Sequence, residues 1–128
     1  MNEQIKTAHL NAAHHLTVGG VDTLTLAAQY QTPLYVYDTG AIRSEIDAFK
    51  QVFETNHVDY QISYASKAFA TVAMYQLIAQ AHIHCDVVSG GELYTAQQAD
   101  FPMAAVSFHG NNKSIAELTM ALDSGVGT

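Results

Sequence analysis

Strand-like segments alternate with helix-like segments along most of this chain, and this alternation restricts the fold more than any other feature. The predicted strands are 34–37, 60–65, 83–88 and 105–108, and the predicted helices lie in 40–53, 70–81, 90–99 and 115–124. Strands that alternate with helices of this length are typical of βαβ units, whose strands run parallel. The alternation therefore predicts an α/β fold with a parallel sheet.

Capping residues mark several of the helix ends. Ser89-Gly-Gly-Glu92 and Ser114-Ile-Ala-Glu117 have the spacing of a capping box, in which serine and glutamate side chains each bond to a free backbone N–H. Asp38 is the predicted N-cap of the helix whose apolar stripe begins at Ile42, and Gly125 is a predicted C-cap. Ile115, Leu118 and Leu122 would form the apolar face of the last helix.

Composition excludes several classes of function. The 128 residues are 48% hydrophobic and 13% charged, which argues against disorder. The formal net charge of -7, with five Lys and Arg residues, makes a nucleic-acid or anionic membrane surface unfavourable. Cys85 is the single cysteine and indicates a reducing compartment. With neither a signal-peptide pattern nor an apolar run of membrane-spanning length, we expect a cytoplasmic protein.

Residues 1–32 are predicted to precede the domain formed by 33–128. This N-terminal segment is polar up to Gly20, and a short helix over 22–30 is predicted to end before Thr32-Pro33. Its paired histidines, His14 and His15, are interpreted as solvated, because adjacent side chains point in different directions. His82 and His84 share a strand face but lack a third ligand, so no metal site is predicted.

Each strand has an apolar face and a small or polar face that ends in an ionisable residue. Side-chain alternation assigns Lys67, Asp86 and His109 to the polar faces of consecutive strands, near their C-terminal ends. Strands of an open, doubly wound sheet are apolar on both faces, whereas the interior of a barrel would gather these side chains where active sites lie. A barrel is therefore favoured.

Simpler interpretations of the same residues remain open at this point. Lys67 could extend its amine to water from a strand end, or burial could lower its pKa and make the amine a nucleophile. Asp86 could cap a neighbouring backbone group, and His109 could lie at the edge of a loop. Cys85 falls on the apolar face, where packing is its expected role.

Four sequence blocks resemble one enzyme family in order and spacing. They are Thr32-Pro-Leu-Tyr-Val-Tyr-Asp38, Tyr64-Ala-Ser-Lys-Ala68, Cys85-Asp-Val-Val-Ser-Gly-Gly-Glu-Leu93 and Phe108-His-Gly-Asn-Asn-Lys-Ser114. Together they resemble diaminopimelate decarboxylases, which belong to the alanine-racemase-like class of pyridoxal-phosphate enzymes. The resemblance implies a TIM-type (β/α)8 barrel, of which this chain would hold the N-terminal strand and helix and about the first three barrel βα units.

The resemblance also implies roles for individual residues. Lys67 would form a Schiff base with pyridoxal 5'-phosphate, and Asp86 would lie near that lysine at the cofactor. His109, Asn111 and Lys113 match a family block near the barrel mouth, where His109 is a further candidate cofactor-binding residue. Ser89 and Glu92 are interpreted as helix-start residues without a catalytic role.

The implied reaction is decarboxylation of meso-2,6-diaminopimelate to L-lysine and CO2, the last step of lysine biosynthesis, by a full-length homodimeric enzyme. A (β/α)8 barrel needs roughly 250 residues, so the chain is interpreted as truncated, without the later barrel units and the C-terminal β domain. The isolated residues are then expected to be inactive and to leave a sheet edge and helix faces uncovered. The alternatives are a non-catalytic remnant, or a related ornithine or arginine decarboxylase or alanine-racemase-like protein.

Overall fold

The computed structural model describes residues 8–128, which form two compact units. The first unit ends at Val58 and the second is Asp59–Thr128. Sequence analysis placed a different boundary, between residues 32 and 33, where the barrel portion is expected to begin. That division stays a prediction. Within the described range, no helix is long and apolar enough to cross a membrane.

The first unit begins with a small antiparallel sheet that sequence analysis did not predict. Its strands are β1 (Ala8–Leu10), β2 (Leu16–Val18) and β3 (Val21–Asp22), in the order β1-β2-β3. Gly19 and Gly20 connect β2 to β3 with φ angles of 56° and 80°, a conformation that favours glycine in two-residue hairpin turns. The strands are too short to show alternation, but the glycine pair between Val18 and Val21 was a recognisable hairpin signal.

Asp22 joins this sheet to the helix that follows it. The helix α1 (Thr23–Tyr30) begins at Asp22, whose carboxylate accepts a hydrogen bond from the backbone N–H of Leu24. The same carboxylate lies 2.9 Å from Nδ1 of His15 and accepts a bond from Asn11. The hydrogen bond with His15 is the main reason why the pKa of Asp22 lies below its usual value. His15 is therefore solvated as predicted, with its side chain 41% exposed, and it also contacts Asp22, which sequence analysis did not predict.

The predicted strand at 34–37 is absent. A strand requires backbone hydrogen bonds to a neighbour, and no strand among residues 8–128 pairs with this segment. Tyr35, in its middle, is 90% exposed. The helix α2 (Thr39–Thr55) follows, and Asp38 is its N-cap as predicted.

The second unit has the predicted parallel α/β arrangement. Its strands are β4 (Ser63–Ala65), β5 (His84–Val87) and β6 (Val106–Phe108), paired in parallel in the order β4-β5-β6. The helices between and after them are α3 (Val72–Gln80), α4 (Gly90–Gln98) and α5 (Ile115–Ser124). Each strand is shorter than predicted; at the start of β6, for example, Ala105 belongs to a helical turn over Met103–Ala105.

One face of this sheet is buried and the other is open, as alternation predicted. Cys85, Val87, Val106 and Phe108 are buried, while the intervening Asp86 and Ser107 are only half-buried and Ala65 is exposed. The buried side chains on the helices that complete the core are Met74, Tyr75, Leu77, Ile78, Leu93, Ala96 and Ala121. The helices therefore cover the apolar face and leave the polar face accessible.

The last residues of the chain pair with β6. The backbone N–H of Phe108 donates to the carbonyl of Thr128 (2.8 Å), and the N–H of Thr128 donates to the carbonyl of Val106 (3.3 Å). The expected open edge of β6 is thus partly covered. Leu122, on the predicted apolar face of α5, is 82% exposed, which agrees with an uncovered helix face.

Candidate functional site

The register of the sheet aligns three of its open-face positions. Ala65 pairs with Asp86 and Asp86 pairs with Ser107, so these residues form one row across the strands. Lys67 follows Ala65 by two residues, within a helical turn formed by Ser66–Ala68. The candidate residues therefore lie at the C-terminal ends of consecutive parallel strands, as sequence analysis predicted.

Asp86 and His109 are in direct contact. Oδ1 of Asp86 lies 2.6 Å from Nδ1 of His109, and the backbone N–H of His109 donates to the carbonyl of Val87 (2.8 Å). The Asp86 side chain is 23% exposed and that of His109 is 66% exposed. Oδ1 of Asp86 has no aligned hydrogen bond, so the contact is an ion pair when the imidazole is protonated.

Lys67 lies on the neighbouring strand end and is exposed. Among the ion pairs of the described residues, 8–128, none joins Lys67 to Asp86. Sequence analysis considered a buried amine at Lys67. The described part of the chain does not bury this residue. The structure therefore brings Asp86 and His109 into contact, and it leaves the amine of Lys67 accessible.

Ser66, directly before Lys67, is completely buried. Its hydroxyl donates a hydrogen bond to the backbone carbonyl of Asp86 (2.8 Å) and lies 2.9 Å from Oε2 of Glu92. The same Oε2 accepts a bond from the backbone N–H of Val88 (2.6 Å). Glu92 thus contacts the turn that carries Lys67.

The capping box predicted at Ser89 is therefore only half correct. The Ser89 hydroxyl accepts a bond from the backbone N–H of Glu92 (3.2 Å), as expected for an N-cap. The Glu92 carboxylate bonds to Val88 and Ser66 rather than to the N–H of Ser89. Sequence analysis missed this contact because Ser66 and Glu92 are 26 residues apart and no local pattern links them.

Lys113, in the block that begins at Phe108, lies beside the ring of that phenylalanine. Asn111 is exposed, and Nζ of Lys113 donates to the carbonyl of Gly110 (2.5 Å) and lies 4.9 Å from the ring centre of Phe108. Phe108 belongs to the helix-covered face of the sheet. The structure therefore associates Lys113 with the far side of β6.

Comparisons with known proteins identify the family. A family described as "pyridoxal-dependent decarboxylase, pyridoxal binding domain" matches residues 39–128. Diaminopimelate decarboxylases of Bacillus methanolicus and Bacillus subtilis (strain 168) are 54% and 53% identical over 121 residues, covering 94% of this chain. The crystal structure of diaminopimelate decarboxylase from M. jannaschii in co-complex with L-lysine has a TM-score of 0.81 at 32% identity, over 96% of this chain and 29% of that chain.

The chain spans about 28% of the length of the curated relatives it matches. The family match nevertheless covers well over half of this chain, and it includes Lys67, Asp86 and His109. On this basis the chain belongs to the pyridoxal-dependent decarboxylases, in the part that forms their pyridoxal binding domain.

Proposed function

We propose that this chain is the N-terminal portion of a pyridoxal 5'-phosphate-dependent decarboxylase that converts meso-2,6-diaminopimelate to L-lysine and CO2. The observation that carries the proposal is an accessible lysine at the end of a parallel strand, in a chain up to 54% identical to diaminopimelate decarboxylases. The activity is proposed for the full-length protein, because these residues correspond to about 28% of the length of such relatives.

The residues around Lys67 fit this cofactor. Lys67 is exposed, and the exposed Ser63 and Ala65 that precede it on β4 are small, so the amine is open to an aldehyde. A lysine amine is the protein nucleophile that forms Schiff bases with such carbonyl groups. When bound, the cofactor supplies the aldehyde and a pyridine ring that takes up the electron pair left as CO2 departs.

Asp86 and His109 are proposed to face the bound cofactor. Oδ1 of Asp86 lies 2.6 Å from Nδ1 of His109, so the carboxylate contacts the imidazole on that side of the ring. Nε2 of the same ring then remains available to a bound molecule, and the ring is 66% exposed. The pair is thereby suited to orient a group of a molecule bound beside Lys67.

The parallel sheet of Asp59–Thr128 is proposed to be part of a (β/α)8 barrel. Closing the sheet with its polar face inward would gather the row of Ala65, Asp86 and Ser107 inside, beneath the ends of the strands. The likeness to the M. jannaschii structure, with its TM-score of 0.81, supports this proposal. We further propose that the full-length protein is a homodimer acting on a small amino-acid substrate.

The first experiment tests the covalent role of Lys67. The purified full-length protein would be mixed with pyridoxal 5'-phosphate, reduced with borohydride and digested, and its peptides would be analysed by mass spectrometry. We expect a pyridoxyl group on Lys67 that is lost in Lys67→Ala and retained in Lys50→Ala, which removes a lysine of α2. Equal labelling of wild type and Lys67→Ala would contradict the proposal.

The second experiment tests the substrate. The same protein would be given meso-2,6-diaminopimelate, ornithine or arginine in separate reactions, and the products would be separated by chromatography. We expect lysine from diaminopimelate and no amine product from ornithine or arginine. The complex of the M. jannaschii relative with L-lysine supports this choice of product. Faster turnover of ornithine or arginine would favour the related decarboxylases instead.

A further inference from the structure

One buried hydroxyl ties the Lys67 turn to the neighbouring strand. Ser66 is 0% exposed, and its hydroxyl donates to the backbone carbonyl of Asp86 on β5 (2.8 Å). The backbone N–H of Phe69 closes the turn by donating to the carbonyl of Ser66 (3.0 Å). A shift of Ser66 would therefore move the backbone on both sides of Lys67.

Glu92 ties the same hydroxyl to the helix α4. Its Oε2 lies 2.9 Å from the Ser66 hydroxyl and 2.6 Å from the backbone nitrogen of Val88. A hydroxyl has a single hydrogen, so the carbonyl of Asp86 and the carboxylate of Glu92 share it or compete for it. One carboxylate thus joins the end of β5, the start of α4 and the turn after β4.

These contacts do not resemble those of an ordinary helix cap in this chain. Ser114 and Glu117 at the start of α5 form a complete capping box, with contacts of 2.8 to 3.2 Å, and Glu117 also accepts a bond from Gly90. Glu92 occupies the equivalent position in α4, but its carboxylate bonds to Val88 and Ser66 instead of the backbone N–H of the N-cap residue Ser89. Local capping alone therefore does not account for the contact between Glu92 and Ser66.

We propose that Ser66 and Glu92 are positioning residues that hold the amine of Lys67 in fixed relation to Asp86. This inference rests on the proposed function of Lys67. The hydroxyl of Ser66 bonds to Asp86 itself, so it sets the spacing between the two chemical groups through the backbone. The carboxylate of Glu92 anchors that buried hydroxyl from the side of α4.

The experiment compares the rate at which Lys67 gains a borohydride-stable pyridoxyl group in variants of the full-length protein. Ser66→Ala removes the hydroxyl, Glu92→Ala removes the carboxylate, and Glu92→Gln keeps the size and one acceptor oxygen. Because hydrogen bonds to charged groups are the stronger ones, we expect Ser66→Ala and Glu92→Ala to slow labelling about tenfold. Glu92→Gln should fall between them and wild type.

Ser114→Ala is the matched control, because it removes a serine cap of the same chemistry whose hydroxyl bonds to Glu117 and not to Glu92. We expect it to leave the labelling rate unchanged. Amide hydrogen exchange without cofactor supplies a second measurement. The amides of Phe69 and Val88 should lose protection in Ser66→Ala and in Glu92→Ala respectively, and both should keep it in Ser114→Ala.

The outcomes separate this inference from the function on which it rests. No Lys67-dependent label in wild type would overturn the proposed function, and the inference with it. If wild type is labelled on Lys67, and Ser66→Ala and Glu92→Gln are labelled as fast as wild type, the inference is overturned while the proposed function stands. Equal slowing by Ser114→Ala would show a general effect of stability and would also overturn it. If Ser66→Ala fails to fold, the isosteric Glu92→Gln decides.

Discussion

The carboxylate of Glu117 accepts a hydrogen bond of 2.9 Å from the backbone N–H of Gly90, 27 residues earlier in the chain. It also accepts bonds from the backbone N–H and the hydroxyl of Ser114 (2.8 and 2.9 Å). Glu117 therefore satisfies free N–H groups at the starts of two neighbouring helices, α4 and α5. The arrangement requires glycine at position 90, because a Cβ there would lie 2.9 Å from Cγ of Glu117.

Glu117→Gln should reduce stability in a pH-dependent way. Hydrogen bonds from Ser114, and then from Gly90, lower the pKa of Glu117 below its usual 4.5. The stabilisation is therefore fully present above about pH 4.5 and is lost as the pH falls through the lower folded-state pKa. Urea unfolding of wild type and variant should show a stability difference at about pH 7 that shrinks below about pH 4.5.

Asp123→Asn is the control for this measurement, because Asp123 is an exposed carboxylate on the same helix. Its stability should differ little from that of wild type across the same pH range. A difference between wild type and Glu117→Gln that stays constant down to about pH 3 would contradict the role of the ionised carboxylate.

Gly127→Ala should weaken the pairing of the chain end with β6. A Cβ at position 127 would lie 2.2 Å from the backbone carbonyl oxygen of Ala104, so the backbone must move. We expect a loss of about 1–3 kcal/mol in the free energy of unfolding, the usual range for overpacking. Gly91→Ala is the control, since its nearest contact would be 3.9 Å away and alanine favours helix. Equal stability of Gly127→Ala and wild type in urea would contradict the close approach.

Leu93 and Leu122 form a matched pair of buried and exposed leucines. Leu93 is 0% exposed, and Leu93→Ala should cost about 2–5 kcal/mol by leaving a cavity in the core. Leu122 is 82% exposed, so Leu122→Ala should change stability by less than about 0.5 kcal/mol. Chemical unfolding of both variants at several protein concentrations gives the comparison. A large, concentration-dependent cost for Leu122→Ala would show that a second molecule covers the face in solution.

The thiol of Cys85 should be unreactive in the folded protein. Burial raises its pKa to about 12, so the nucleophilic thiolate is scarce at neutral pH, and the residue is 0% exposed. A chromogenic disulfide reagent at about pH 8 should react slowly in buffer and rapidly with one thiol per chain in denaturant. Cys85 is the single cysteine of these 128 residues, so any thiol that reacts within them is Cys85. Rapid reaction without denaturant would contradict the burial.

Much of the second unit follows from local patterns in the sequence. The parallel order of β4, β5 and β6, the capping box at Ser114 and the left-handed C-cap at Gly125 (φ 73°) agree with the predictions. Each of these features depends on residues a few positions apart, whose propensities and caps act within the chain segment itself. The place of Lys67, directly after a strand, was predictable for the same reason.

The predictions that local patterns could not decide concern partners of a segment or of a helix face. The segment 34–37 has the composition of a strand, but the described residues offer it no strand to pair with. The face of α5 that includes Leu122 has the periodicity of a packed helix, and its exposure agrees with the expectation of an uncovered helix face. Periodicity records which face is apolar, and only the tertiary structure decides whether anything covers that face.

The sequence by itself determined the alternating order of elements, the capped ends of the helices and the placing of Lys67, Asp86 and His109 at strand ends. Only the tertiary structure decided that Asp86 meets His109 at 2.6 Å and that Glu92 reaches the buried hydroxyl of Ser66. The physical reason is the range of the interactions. Caps and side-chain alternation act over a few residues, whereas these contacts form only after parallel strands have brought separate segments side by side.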